Sequence, residues 1–363
     1  MAAMGAHTHD HIDWAARIPD LRRGDELHAA AFAEIARRLT ANLPQGATVV
    51  DAGSGTGGMS AALAAELAVR GGGTLILVDA VPELLAVATE TAAAAVEAVG
   101  GQPSVTGGPD GAAARAQSET ATTAPSGGSE RAAAGARSEA ADTAPLGEAG
   151  SPAGAAQPET LTGPSRGVGP VRIEAVRADV AGRALGEIVP SADLVWAAAM
   201  VHHLPDQQAG ISALASALAP GGLLAVAEGG LQTQTLPWDV GVGAPGLERR
   251  LLAIGDEWFG EMRSGMDGSV RMPYGWTTAL TRAGLRSVGS FTALVDHPAP
   301  TTDLVRRFVL GHLTRLAETV DDRMSEDDRN AVRLLLDPEG PDYLGNRDDL
   351  YVLGTRTVHI GRK

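Results

Sequence analysis

The chain has 363 residues, 44% of them hydrophobic, which is enough for a large buried core and leaves room for two domains. Its formal net charge of −15 disfavours a nucleic-acid partner, because phosphate backbones are bound by basic surfaces. The absence of cysteine excludes disulfides, thiolate metal sites and a cysteine nucleophile. The sequence also lacks an apolar stretch of the kind that indicates a signal peptide or a membrane partner.

Residues 1–46 predict a helical cover ahead of the first strand. Glu26 to Leu39 repeats apolar residues at helical spacing, and a shorter helical pattern precedes it. In α/β folds, a helix that precedes the first strand commonly lies over the mouth of the ligand site. We therefore place Trp14 near a substrate, with a plain packing role as the alternative.

The same segment holds three alternating histidines, His7, His9 and His11, with acidic neighbours. Such a set has the chemistry to bind zinc or nickel. We favour a solvated terminus without metal, because a terminal tract has no surrounding shell to hold its ligands in place. We expect no metal site elsewhere either, since no clustered carboxylates of the magnesium-binding kind are evident.

A run of glycines stands where a buried strand turns into a helix. The preceding residues 47–50 are short and β-branched, and residues 59–69 have helical spacing. The loop between them fits the dinucleotide pattern G-x-G-x-x-G through Gly53, Gly55 and Gly58. It fits D-x-G-x-G-x-G equally well, with Asp51 at the start and Gly57 as the third glycine.

The second pattern resembles the first motif of class I methyltransferases that use S-adenosylmethionine (SAM). Asp51 favours this interpretation, because SAM carries an ammonium and a sulfonium group, whereas a pyrophosphate would be repelled by a carboxylate. The next predicted strand, residues 74–78, ends in Asp79, followed by Ala80. A carboxylate there can accept both ribose hydroxyls, a need shared by NAD and SAM.

Residues 100–168 differ in composition from the rest of the chain. Small and polar residues dominate this segment, and it has almost no large apolar side chains with which to form a core. Two copies of a related octapeptide, at 118–125 and 138–145, have no apolar face to stack, so we attribute them to repeat slippage in the gene. We predict a disordered insertion that leaves the sheet as a surface loop.

Three further strand ends follow the order found in small-molecule methyltransferases. Residues 171–176 lead to Asp179 and Val180, residues 192–206 resemble the fourth strand with its turn, and a Pro-Gly-Gly turn at 220–222 feeds the fifth strand. The resemblance covers residues 47–99 and 169–230, the predicted SAM-binding core. It implies cofactor-binding roles for Asp51, Gly53, Ser54, Gly55 and Gly57 (methionine part), Asp79 and Ala80 (ribose), Asp179 and Val180 (adenine), and Ala197 (the side near the acceptor).

His202 and His203, in the turn after the fourth strand, are the catalytic candidates. Methyl transfer is an in-line displacement, and an acceptor that must lose a proton needs a base, a role that suits histidine near neutral pH. The alternative is that these histidines only pack the loop, with transfer driven by positioning. Glu228, at the end of the fifth strand, faces the same crevice and is a candidate contact for the acceptor.

The rest of the chain predicts additions to the core. Residues 231–274 contain Trp238 and Trp258, which suit either a substrate lid or the small core of an inserted helix pair. Residues 275–363 complete the core and contain a helical insertion at 301–337. The resemblance implies that the final strand, near residues 351–360, lies antiparallel beside the sixth.

We therefore predict a doubly wound, Rossmann-like α/β fold with a seven-stranded sheet, six strands parallel and one antiparallel. The predicted function is SAM-dependent methyl transfer to a small-molecule acceptor. The alternatives are an NAD-dependent oxidoreductase and a non-catalytic SAM-binding protein. A single lysine, Lys363, against many arginines indicates a GC-rich bacterial genome, and we expect a cytoplasmic monomer or homodimer.

Overall fold

One mixed sheet organises the protein. The computed structural model describes residues 13–107, 167–180 and 183–363. Eight strands are paired in the order β3-β4-β2-β1-β5-β6-β8-β7. The strands are β1 (Thr48–Ala52), β2 (Gly73–Asp79), β3 (Pro103–Thr106), β4 (Val171–Arg177), β5 (Ala192–Ala198), β6 (Leu218–Ala227), β7 (Arg286–His297) and β8 (Val352–Arg362).

Helices cover both faces of this sheet. They are α1 (Trp14–Thr40), α2 (Gly58–Val69), α3 (Pro82–Ala98), α4 (Gln207–Ser216), α5 (Leu247–Gly265), α6 (Trp276–Arg282), α7 (Asp303–Val320) and α8 (Glu326–Leu336). Alternate strand residues point to opposite faces. Val49 and Trp196 therefore join a core with α1, α2, α3 and α7, whereas Val50 and Val195 join a second core with α4 and α6. The predicted doubly wound fold is confirmed.

The predicted number of strands is wrong, because the sheet has eight strands and not seven. The additional strand is β3, which pairs parallel with the first half of β4 at the sheet edge. It lies at the start of the predicted insertion, and most of its residues are exposed. Backbone hydrogen bonding and not apolar burial forms this strand, so its composition gave no sign of it. The remainder of the predicted disorder, residues 108–166, lies outside the described residues.

The last strand lies where the resemblance implied. β8 is antiparallel to both β6 and β7 and stands between them. The other seven strands therefore share one direction, and their carboxyl ends meet at one edge of the sheet. None of the helices in the described ranges is long and apolar enough to cross a membrane.

The first helix is longer than the sequence pattern indicated. α1 runs without a break through Pro19, starting from the Asp13 side chain, which accepts a hydrogen bond from the Ala16 backbone at 3.1 Å. Its buried side, which includes Leu27 and Ile35, packs against α2, α7 and β7. This packing places the first half of α1 over the carboxyl ends of the central strands.

Candidate active site

The main cavity lies at the carboxyl ends of the central parallel strands, beneath α1. It encloses about 750 Å³. Ligands of open α/β sheets bind at this edge, where the connections diverge to the two faces. Ten of the predicted site residues line it: Trp14, Asp51, Gly53, Ser54, Gly55, Asp79, Ala80, Asp179, Val180 and His203.

The glycine loop takes a backbone shape that other residues rarely adopt. Gly53, Gly55 and Gly57 have φ angles of +78°, +55° and +89°. A Cβ on Gly55 would meet no atom within 4 Å, so this part of the loop leaves space for a ligand. Gly57 does not line the cavity, and a Cβ there would lie 2.7 Å from the Ala88 Cα of α3. Gly57 thus allows α2 and α3 to approach each other closely.

Two carboxylates at the ends of β1 and β2 face the cavity. Asp51 is 2% exposed, and its Oδ2 accepts from Ser60 Oγ at 2.5 Å. Burial, reinforced by the nearby charges of Asp79 and Asp25, raises the Asp51 pKa to about 7. Asp79 accepts from the backbone N–H groups of Gly55 and Val81, each at 2.9 Å, and burial raises its pKa as well.

Asp25 of α1 is a third acid at this cavity, and no sequence motif indicates it. Its Oδ2 accepts from Thr56 Oγ1 at 2.5 Å and from the Gly58 backbone at 3.1 Å. Because Gly57, the residue before α2, offers no side-chain cap, Asp25 supplies the acceptor for the start of that helix. A Cβ on Gly58 would lie 2.4 Å from the Asp25 Cγ, so this contact requires glycine at 58.

The two histidines occupy different positions. His203 lines the cavity, whereas His202 does not. The His202 Nδ1 lies 2.5 Å from Glu228 Oε2. A carboxylate can only accept, so this contact assigns the proton to Nδ1 of His202. The two imidazole rings are tilted against each other with centroids 4.0 Å apart.

Glu228 is 2% exposed and does not line the cavity, so it holds the histidine turn instead of facing the acceptor. Its Oε1 accepts from the backbone N–H groups of Met200 and Val201 at 2.9 and 2.7 Å. Its Oε2 binds His202. One buried carboxylate therefore fixes both the backbone and one ring of the turn.

Helix α5, within the predicted lid, covers the histidine turn. The Arg263 guanidinium donates to the His202 and Leu204 carbonyls, both at 2.6 Å. The centroid of the Phe259 ring lies 5.6 Å from the centroid of the His202 ring and 5.8 Å from that of the His203 ring. This segment thus contacts the histidine turn through Phe259 and Arg263.

Besides Gly57, His202 and Glu228, three further predicted site residues lie away from the cavity. Trp238 is 60% exposed beneath the Arg249 guanidinium, and Trp258 of α5 is half-buried without lining the cavity. Ala197 is fully buried in the core beside α4 and α6, while its strand neighbours Trp196 and Ala198 line the cavity instead. Alternation along β5 explains this difference, since adjacent side chains face opposite sides of the sheet.

Arg356 of β8 also lines the cavity, and the sequence analysis did not single it out. It belongs to the row Val352, Gly354, Arg356 and Val358, which faces the core beside α1. An arginine within an apolar row of a predicted strand was a visible signal. Asp25 gave no comparable signal, because polar residues are common on one side of an amphipathic helix.

The cavity suits the SAM implied by the resemblance. Asp25, Asp51 and Asp79 give it an acidic wall that favours a cationic ligand. The buried Ser54 hydroxyl has no hydrogen-bond partner among the described residues, so it is available to a ligand. Within the described ranges, no three histidine, aspartate or glutamate side chains are placed to hold a metal ion. His7, His9 and His11 lie outside those ranges.

The chain is similar to several solved structures. Similar solved structures include SAM-dependent methyltransferases of Thiobacillus denitrificans and Geobacter sulfurreducens, both in complex with S-adenosylhomocysteine, and the YcgJ protein of Bacillus subtilis. The Thiobacillus protein is 14% identical, with 90% of this chain and 89% of that chain covered and a TM-score of 0.37. The Geobacter protein is 14% identical, with 90% of each chain covered and a TM-score of 0.37. YcgJ is 12% identical, with 93% and 99% covered and a TM-score of 0.40.

No curated protein matches the chain with significant sequence similarity. A family model described as a methyltransferase domain matches residues 24–262, which is more than half of the chain. The matched range includes the glycine loop, the carboxylates of β1 and β2, the histidine turn and α5 up to Met262. The chain therefore belongs to the methyltransferase domain family, which confirms the predicted SAM-dependent methyltransferase and its cofactor.

Proposed function

We propose that this methyltransferase acts on a small-molecule acceptor that enters beside His203. One observation carries the proposal: His203 borders the same cavity as Asp51 and Asp79. A group suited to proton removal and the groups suited to holding the cofactor therefore share one space. Such proximity is what a displacement between two bound reactants requires.

We assign the cofactor-binding roles as follows. Asp51 pairs with the ammonium group, and the free Ser54 hydroxyl and the open backbone at Gly55 hold the rest of the methionine part. Asp79 accepts from the ribose hydroxyls with lone pairs that its two backbone contacts leave available. Asp179 and Val180 border the adenine end. Trp14 closes the cavity from α1.

The bound cofactor supplies an electrophilic methyl group on a sulfonium. For an acceptor that must lose a proton, His203 is the base that removes it, because it is the histidine that lines the cavity. Glu228 and His202 act as positioning residues, since their contact fixes the turn that carries His203. Phe259 excludes water from the two rings.

The test is methyl transfer with a labelled donor. The protein is incubated with methyl-deuterated SAM and a bacterial small-molecule extract, and products that carry the label are sought by mass spectrometry. We expect a labelled small molecule, lost with His203→Ala and reduced with His202→Ala. Labelled protein or nucleic acid, with no labelled small molecule, would contradict the proposal.

The same experiment addresses the non-catalytic alternative. S-adenosylhomocysteine binding without any labelled product would favour a SAM-binding protein that does not transfer the methyl group. A bacterial source, a cytoplasmic location, the absence of a nucleic-acid partner and a monomeric or homodimeric state remain part of the proposal. The single lysine supports the bacterial source, and the net charge of −15 supports the absence of a nucleic-acid partner.

A further inference from the structure

A second cavity of about 510 Å³ adjoins the main one. It lies between α1, residues 229–233 after β6, α7 and β8. The two cavities share three lining residues, Leu21, Asp25 and Arg356. Predicted cofactor residues such as Asp51, Asp79 and Asp179 line only the main cavity. The second cavity therefore extends the site on the side away from the predicted adenine end.

Arg356 stands at the junction of the two cavities. Its guanidinium makes no hydrogen bond or ion pair with any described residue, and it lies over the Phe32 ring, 5.8 Å from the ring centroid. Burial lowers the Arg356 pKa, while the charges of Asp25 and Glu228 oppose that shift. A desolvated cation without a partner is costly, so a ligand anion here would be well placed to bind.

The other charged groups of the second cavity form no hydrogen bond or ion pair with Arg356 among the described residues. Asp20 pairs with Arg315 at 2.8 Å and with Arg23 at 2.7 Å. Asp25 accepts from Thr56 and Gly58, as described above. Arg17 is exposed and has no partner among the described residues.

His28 adds no positive charge near neutral pH. Burial lowers its pKa to about 4, and its Nδ1 lies 2.6 Å from the Gly24 carbonyl oxygen. The proton of the neutral ring is therefore on Nδ1. Together with Phe308, the His28 ring gives the cavity aromatic surface beside the arginine.

We propose that the second cavity binds an oxyanion group of the methyl acceptor, a carboxylate or a phosphate, and that Arg356 is its principal ligand. This inference rests on the proposed function, since it names the chemistry of the acceptor at the same site. The planar guanidinium offers two parallel donors to such a group. The aromatic walls suit a ring or another flat apolar body attached to the anion.

The position of Arg356 favours the acceptor over the carboxylate of SAM itself. Arg356 lines the second cavity as well as the main one, whereas Asp51, the carboxylate expected to hold the ammonium group, lines only the main cavity. Arg356 is therefore placed to reach a group that extends beyond the predicted cofactor residues.

The test uses small probes and the full chain saturated with S-adenosylhomocysteine. Calorimetry measures the binding of benzoate, phenyl phosphate and the neutral analogue benzamide. We expect at least one anion to bind at least about tenfold more tightly than benzamide, and to lose about that factor in Arg356→Met. Arg356→Lys should recover part of the lost anion affinity, because lysine keeps the positive charge but lacks the two parallel N–H donors of the guanidinium. The better of the two anions identifies the group.

Arg38→Met is the matched control, since Arg38 also lies over a ring, that of Phe291 at 5.0 Å, but lines neither cavity. It should leave all three affinities unchanged. Three results would overturn the inference: equal binding of the anions and benzamide, no saturable anion binding, or an anion affinity of Arg356→Met equal to that of the wild type. So would a loss of S-adenosylhomocysteine affinity in Arg356→Met with anion binding retained, which would assign the arginine to the cofactor. If the wild type fails to bind S-adenosylhomocysteine at all, the proposed function fails instead.

Discussion

Single carboxylates define this site, and Asp51 is the one whose protonation matters most. Its pKa is raised to about 7 by burial, and pairing with a ligand ammonium group would lower it. The ionised form is therefore the one that binds the ligand, and below the raised pKa a proton must first be released. The affinity for the ligand therefore increases as the pH rises towards 7 and levels off above it.

We accordingly predict that affinity for S-adenosylhomocysteine falls by up to about tenfold per pH unit below about pH 7. Calorimetry from about pH 5.5 to about pH 8.5 measures this change in affinity, since that range extends roughly one to two units on either side of the pKa. Asp51→Asn should bind weakly and with little pH dependence. An affinity that is constant, or that rises on acidification, would refute this account of Asp51.

Glu228 gives a second prediction at this scale. Glu228→Gln keeps the shape of the side chain but weakens its hydrogen bond with His202. In the wild type the His202 Nδ1 lies 2.5 Å from Glu228 Oε2. We expect the 15N resonance of that ring nitrogen to move and methyl transfer to slow by about tenfold or more. Affinity for S-adenosylhomocysteine should stay within about threefold of the wild type. A shifted ring resonance with an unchanged rate of methyl transfer would contradict a positioning role for Glu228.

Among the elements, α1 has the most influence on the site, because it joins the cover to the glycine loop through Asp25. Asp25→Ala leaves the Thr56 hydroxyl and the Gly58 N–H without their acceptor, a loss of about 1–3 kcal/mol. Gly58→Ala forces a Cβ against the same carboxylate, at a similar cost.

The two changes should be coupled. With Asp25 shortened to alanine, the added methyl at 58 has more room, so the double variant should be more stable than the sum of the single effects by about 1 kcal/mol. Urea unfolding of the four proteins completes the cycle. Additive effects would show that the contact between α1 and α2 does not depend on this pair.

The elements also show what the sequence could predict. Buried strands such as β1 and β2 were predictable, because their apolar runs end in acids. The exposed strand β3 was missed, because its pairing with β4 depends on the backbone. Arg356 was missed although its row in β8 is apolar, and Asp25 was missed because only the folded chain brings it to Gly58.

On the scale of the whole molecule, the sequence predicted the doubly wound fold and the antiparallel last strand from the order of its motifs. Ten predicted site residues line one cavity. The position of Ala197 and the charge of the second cavity depend on which side of a strand faces which helix. A motif alone does not contain that information. Sequence order predicts which strand ends meet, and side-chain direction decides which of their residues share a cavity.

The long segment between β3 and β4 allows a test at the same scale, because none of the described site residues belongs to it. Shortening residues 116–158 to a few glycines and serines leaves more than a dozen residues for the crossover that parallel neighbours need. We expect unchanged unfolding and S-adenosylhomocysteine affinity. A marked loss of either would show that the segment contributes to the core or the site.

The most direct test of the account is calorimetric titration of S-adenosylhomocysteine, and separately of NAD, into the wild type and Asp51→Asn at pH 8. Asp51 of the wild type is ionised there, since its pKa is about 7. We predict saturable binding of S-adenosylhomocysteine to the wild type, at least about tenfold weaker binding to Asp51→Asn, and no binding of NAD. Equal binding to both proteins, or binding of NAD alone, would contradict it.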